Sequence, residues 1–278
     1  SSMADYRIGF KWWALIIAVV FVISELVCVA CVPERPVACD EKPGKISDMF
    51  KALFKNDQAM TVVVSIILVY TSLNICGNLV LYFFRFDVGN EGAYSIFAAV
   101  AFAAQVLVMM VIPLLRKRFS KSQLFISGFI IQIAGFAVIL IMAFAKLYTP
   151  QSWYILCLPG ILIYLGYGML NVIMTIFLSD SVDYGEVMNG TREESVIFSM
   201  QTFTVKLASG VAVFLAGLVV DWIHLDTAAA VQTQDTLDAL RMWMTIPSVI
   251  LLIVGIFVFK RFYKLDDTRM EEIKSKLN

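Results

Sequence analysis

One histidine and five cysteines in 278 residues leave little material for acid–base or metal chemistry. His224 falls at the end of an apolar run, where a solvated side chain is the simplest reading, and no Ser/His or Cys/His set for nucleophilic catalysis can be assembled. Only Cys28 and Cys31 have ligand-like spacing, with Cys39 nearby. Both lie inside an apolar run, so small packing residues are expected there rather than a zinc or redox site. No catalytic residue, metal or cofactor follows from this composition, and an enzyme is not expected. Charge is sparse as well: 16% of residues are charged, the formal net charge is zero and the sequence pI is about 6.6. Such a chain offers nothing to a polyanion, and nucleic acid is not an expected partner. A small-residue cleavage site before Pro33 is also lacking, and the first apolar run is too long for a signal peptide.

What the chain has in abundance is apolar residues, 60% of the total with a mean hydropathy of +0.81. Soluble domains hold about 45–50%. Lipid is therefore the expected solvent. A bilayer core takes roughly 20 consecutive apolar helical residues to cross, and seven such runs are present: Phe10 to Val32, Ala59 to Phe84, Gly92 to Leu115, Leu124 to Leu147, Trp153 to Leu178, Val196 to Ile223 and Met242 to Phe262. Strands of a membrane barrel would be half as long and alternating, so the expected fold class is an all-α integral membrane protein.

Lysine and arginine alternate between loops. The first loop carries Arg35, Lys42, Lys45, Lys51 and Lys55, the third Arg116, Lys117, Arg118 and Lys121, and the tail six more from Lys260 to Lys276. The second, fourth and sixth loops offer little beyond Arg85, Lys146 and Arg241. Positive loops face the cytoplasm, which predicts the N-terminus outside and the C-terminus inside the plasma membrane, an arrangement that suits a piece preceded by further helices. In the first loop Pro33, Pro36, Pro43 and Gly44 break the chain before Ile46, Phe50, Leu53 and Phe54 recur at helical spacing, as in a short interfacial helix. The expected organisation is a helix at residues 1–32, a cytoplasmic linker at 33–58, a six-helix bundle at 59–265 and a cytoplasmic tail at 266–278. Gly128 and Gly135 on one helix, and Gly160, Gly166 and Gly168 on another, read as close helix packing.

Polar residues at membrane depth carry the functional information, because lipid tolerates them poorly. Lys206 lies about 15 Å into its helix, near the midplane and too deep to snorkel easily, so its ammonium needs a ligand, a watery cavity or a structural ion-pair partner. Gln201, Thr202, Val205, Lys206 and Ser209 form one stripe of that helix, with Val205 supplying packing. After Leu178 the segment Ser179 to Glu186 places Asp180, Asp183 and Glu186 ahead of Arg192, in a loop where a Thr191–Glu194 capping box would open the next helix. This cluster reads either as a gate of breakable ion pairs or as a solvated turn. Asn74 and Asn78, flanked by Tyr70 and Tyr82, and Tyr164, Tyr167 and Thr175 either line a cavity or pack and hydrogen-bond between helices. Gln105 and Gln132 read as lone structural amides.

The Asp180-x-x-Asp183-Tyr-Gly-Glu186 run, the downstream Arg192, and Gln201-Thr-Phe-Thr-Val-Lys206 at this spacing resemble the glycoside/pentoside/hexuronide cation symporters, the melibiose carrier-like branch of the major facilitator superfamily. The likeness covers the whole chain, as the sixth helix, the central cytoplasmic loop and the C-terminal bundle of that family. It implies secondary active uptake of a sugar or glycoside coupled to sodium or protons, in a bacterial inner membrane, by two halves rocking about a midplane site. In that resemblance Gln201, Thr202, Val205 and Lys206 match a sugar-facing stretch, and Asp180, Asp183, Glu186 and Arg192 match the cytoplasmic gate. Asn171 stands where the melibiose carrier stacks a tryptophan on its sugar, which argues against a galactoside held in the same way. The family's cation carboxylates lie on helices absent here, so the resemblance places the coupling-ion site mainly in a missing N-terminal half or partner chain. A membrane sensor or assembly subunit with a transporter-like half fold is the alternative.

Overall fold

The computed structural model describes residues 3–31, 54–190, 192, 194–229 and 231–277, with side chains from Ile8 onward. The chain divides into two compact units, residues 1–44 and 45–278, and each is taken by itself. The first contains helix α1, Met3–Cys31. The second contains α2 (Asp57–Tyr82), α3 (Ala93–Leu115), α4 (Lys121–Phe144), α5 (Cys157–Asn189), α6 (Glu194–Trp222), α7 (Gln234–Phe262) and the short α8 (Asp267–Leu277). Seven helices among the described residues are long and apolar enough to span a bilayer, and the fold is all-α and multi-pass as expected. The interfacial helix expected in the first loop falls largely outside the described residues.

Three boundaries differ from expectation, each for a physical reason. Helix α2 runs on through a π-helical turn, Phe83–Asp87, which carries Phe83 and Phe84 into the core. Helix α7 begins at Gln234 rather than Met242, because Thr233 caps it by accepting from the Thr236 amide and polar residues fill its first two turns. Helix α5 extends eleven residues past Leu178, so the acidic segment read as a loop is helical. One side of that extension is buried at Asp180, Ser181, Val182 and Gly185, and the helix stops only at Gly190, whose φ of 73° is the left-handed conformation glycine tolerates.

Helices α2 and α5 form the centre of the second unit. Helix α5 packs on α4, α3 and α2, and α2 packs on α7 and α6. Without a hydrophobic difference between lipid and protein interior, contact depends on close approach and hydrogen bonds across helices. Both devices are present. A Cβ added to Gly166 would stand 2.5 Å from the Gly128 carbonyl oxygen, so α4 and α5 touch backbone to backbone. Ser72 and Ser248 each donate to the other's carbonyl, at 3.1 and 2.8 Å, across α2 and α7. Phe125, Phe177, Phe259 and Tyr263 pack ring against ring with centroid separations of 4.4 to 5.2 Å. The tail is a docked helix: Met270 and Ile273 of α8, with Leu265, bury against Tyr184, Val187 and Tyr263. Below, "tail end" means the end of the bundle bearing α8, and "opposite end" the other.

Candidate functional site: a polar face flanked by charge clusters

On α2, Tyr70, Asn74 and Asn78 follow one another every four residues and so share a face. The amides do not reach across helices. Asn74 donates to the Tyr70 carbonyl and Asn78 to the Asn74 carbonyl, each at 2.7 Å. Each amide oxygen is then left without a hydrogen bond among the described residues on a half-buried face, ready to accept one from a ligand. Helix α5 contributes Asn171, whose amide donates to the Tyr70 hydroxyl at 2.6 Å. Tyr70 meets Tyr167 edge to face, with centroids 5.5 Å apart, and Tyr164 continues the row 6.5 Å from Tyr167. Thr175 turns its hydroxyl back to the Asn171 carbonyl at 3.1 Å and is exposed. Tyr70, Asn171, Tyr167 and Tyr164 are thus brought together across α2 and α5 in one neutral cluster, whereas Asn74, Asn78 and Thr175 bond within their own helices.

Helix α6 presents a second strip. Thr204, Ala208, Ala212 and Ala216 are buried on its inner side, which leaves Gln201, Val205 and Ser209 half-buried and Thr202 and Lys206 exposed on the bundle surface. Thr202 donates to the Phe198 carbonyl at 3.3 Å. Lys206 makes no ion pair or hydrogen bond among the described residues, which sets aside an ion pair within this bundle. No hydrogen bond joins this strip to the α2–α5 cluster among the described residues.

The acidic residues of α5 are divided rather than grouped. Asp183 and Glu186 meet Arg192, at 3.1 and 2.7 Å, and Glu194 joins them at 3.1 Å. These hydrogen bonds, Glu186 first and Glu194 next, raise the Arg192 guanidinium above its ordinary value. Asp180, three residues earlier than Asp183, faces inward and pairs instead with Lys121 of α4, both side chains being 7% exposed. Lys121 also lies 3.5 Å from Asp267 of α8, which Arg116 approaches at 3.4 Å. The Tyr263 hydroxyl beside them has no hydrogen bond among the described residues, and burial followed by the charges of Asp180 and Asp267 raises its pKa. Thr191 of the expected capping box lies outside the described residues.

Two partners are not marked by the sequence: Lys121 reads there only as a topology charge, and Asp87 does not stand out. At the opposite end Arg241 donates to both Asp87 oxygens at 2.8 and 2.5 Å, with Tyr148 donating to the same carboxylate at 2.6 Å. Burial, then the hydrogen bond to Asp87, raises the Tyr148 hydroxyl pKa. Arg241 also meets Asp238 at 2.7 Å. The available signal is two opposite charges, Asp87 and Arg241, at the edges of segments poor in lysine and arginine.

A sequence model of MFS/sugar transport proteins matches residues 2–267. The chain belongs to that family. This agrees with the symporter resemblance read from the Asp-Tyr-Gly-Glu and Gln-to-Lys segments. Among curated relatives, an uncharacterized symporter, YjmB, of Bacillus subtilis (strain 168) is 25% identical over 91% of this chain and 54% of its own length. The raffinose carrier protein of Pediococcus pentosaceus is 24% identical over 100% of this chain and 43% of its own. The isoprimeverose transporter of Lactiplantibacillus pentosus is 25% identical over 93% of this chain and 52% of its own. The chain spans about half the length of these curated relatives.

Proposed function

We propose that this chain forms the C-terminal part of a bacterial inner-membrane symporter that moves a sugar or glycoside by alternating access, coupled to sodium or protons. The observation that carries the reading is polar side chains at membrane depth in a chain of this family: the Tyr70–Asn171–Tyr167 cluster on α2 and α5, and on α6 the exposed Lys206, without a partner among the described residues. Neutral amides and hydroxyls beside aromatic rings suit a polyol with apolar ring faces. A bare ammonium at that depth is stable only when another group or water faces it, which an N-terminal bundle and the sugar between the halves would supply. In this reading Gln201, Thr202 and Lys206 contact substrate, with Asn171 ordering Tyr70 and reaching the sugar. Val205 packs, and Asn74, Asn78, Tyr164, Tyr167 and Thr175 line the cavity.

The tail end faces the cytoplasm in this proposal, with α1 closing the N-terminal bundle and residues 33–58 serving as the linker. In this reading the gate is narrower than a four-residue set: Arg192 breaks from and reforms with Asp183 and Glu186, a role that their exposed ion pairs support, whereas Asp180 serves the buried pair with Lys121. The test is accumulation of labelled sugars, raffinose and isoprimeverose among them, in cells expressing the intact gene. Uptake that collapses on removing sodium or on adding a protonophore identifies the coupling ion. Binding without accumulation would replace transport by a sensor role.

A further inference from the structure

A groove runs along the seam of α2 and α7 on the outside of the bundle. Its tail-end part, about 580 Å³, is lined by Met60, Val64, Val258 and Phe262 below a polar rim of Asp57, Arg261 and Lys264. In line with it on the same two helices lies a second stretch of about 720 Å³, lined by residues such as Ile67, Ile75, Ile250 and Pro247 and by Leu215 of α6, and almost wholly apolar. The two parts share one helix face: on α2 the lining passes from Val64 to Ile67, one turn apart, and on α7 from Val258 to Leu251, two turns apart. From Thr61 to Ile75 the seam extends about 21 Å along α2. One leaflet of hydrocarbon is about 15 Å deep. The seam therefore has room for one acyl chain and the glycerol above it.

Its rim selects the headgroup. Arg261 and Lys264 are exposed and neither forms an ion pair among the described residues; the Arg261 guanidinium lies 5.6 Å from the Phe262 ring centroid. The one carboxylate in the rim, Asp57, accepts from the Gln58 amide at 2.8 Å. Lys260 adds a further exposed cation one residue away from Arg261. Two free cations at the membrane surface, over an apolar slot as long as a leaflet is deep, complement a phosphate carried on an acyl chain.

We propose that the α2–α7 seam is a binding site for an anionic phospholipid, with its phosphate between Arg261 and Lys264 and an acyl chain along Val64, Ile67 and Ile250. The test uses the intact protein in detergent micelles doped with phosphatidylglycerol or phosphatidylcholine, read by native mass spectrometry. Retention of phosphatidylglycerol over phosphatidylcholine is expected. Arg261→Gln with Lys264→Gln should lower phosphatidylglycerol retention about tenfold or more, as two surface cations contribute about that much. Arg261→Lys with Lys264→Arg should preserve retention and shows that the first pair of changes did not act through misfolding. Ile250→Trp, which fills the slot, should lower retention of both lipids, whereas Lys274→Gln on α8 should change nothing. Equal retention of the two lipids, or undiminished phosphatidylglycerol on the doubly neutralised protein, would overturn the proposal. So would indifference to Ile250→Trp, which would mean that the slot is filled by another protein segment.

Discussion

The two ends of the bundle use the same chemistry, arginine against carboxylate, in opposite ways. At the opposite end Arg241 and Asp87 are each 3% exposed and join α7 to the end of α2, with Tyr148 fastening the α4–α5 connection to the same carboxylate. At the tail end Arg192 is 46% exposed and gathers Asp183, Glu186 and Glu194 across the turn from α5 to α6. A buried pair that loses one partner strands the other charge in a low-dielectric site, so it must stay closed. An exposed pair hands its charges to water at little cost and is free to open. A transporter that rocks as two rigid halves needs both behaviours: bundles that hold their shape and contacts that exchange.

Substitutions that separate the two ends should rank accordingly. Arg241→Ala leaves Asp87 buried and unpaired and should destabilise the protein by about 3–5 kcal/mol, seen as a large fall in melting temperature in detergent. Lys121→Ala strands Asp180 in the same way, and a loss of about 3 kcal/mol is expected. Asp180→Ala should cost less, because Lys121 keeps Asp267 at 3.5 Å as a second partner. If the two single variants melted alike, Asp267 would not be sharing that charge. Arg192→Ala should shift stability by no more than about 1 kcal/mol. Its effect should appear in transport rates instead, and a stability loss as large as that of Arg241→Ala would erase the contrast. The smallest change is expected between the ends, at Gln132. Both of its side-chain polar atoms are buried without a hydrogen bond among the described residues, so Gln132→Leu should be neutral or stabilise by about 1 kcal/mol.

How much of this was legible in the sequence depended on the distance over which each residue finds its partner. The spans were readable because a bilayer imposes a length on each apolar run, and Lys206 stood out because a charge at that depth needs a reason. Helix ends were less readable wherever polar sequence continued a helix beyond the hydrocarbon, as α5 does through Asp180 and Asp183 to Asn189. Those two carboxylates looked alike in a run of acidic residues. Three residues on a helix is close to one turn, yet the small angular difference turns Asp180 inward to Lys121 and leaves Asp183 on the rim with Arg192. Arg241 and Asp87 are 154 residues apart, and nothing local marks them as partners. From sequence Asn74 and Asn78 read as interhelical donors or cavity-lining groups, whereas each amide donates within its own helix, a local bond that competes with any longer reach.

The most direct test of the sugar-site reading compares Lys206→Ala with Arg192→Ala in uptake of the transported sugar and in equilibrium sugar binding, on protein shown to be folded by its melting temperature. Lys206→Ala is expected to lose binding and uptake together, and Arg192→Ala to keep binding while its uptake rate changes. Full binding and uptake after Lys206→Ala would contradict the assignment of the polar face as the substrate site.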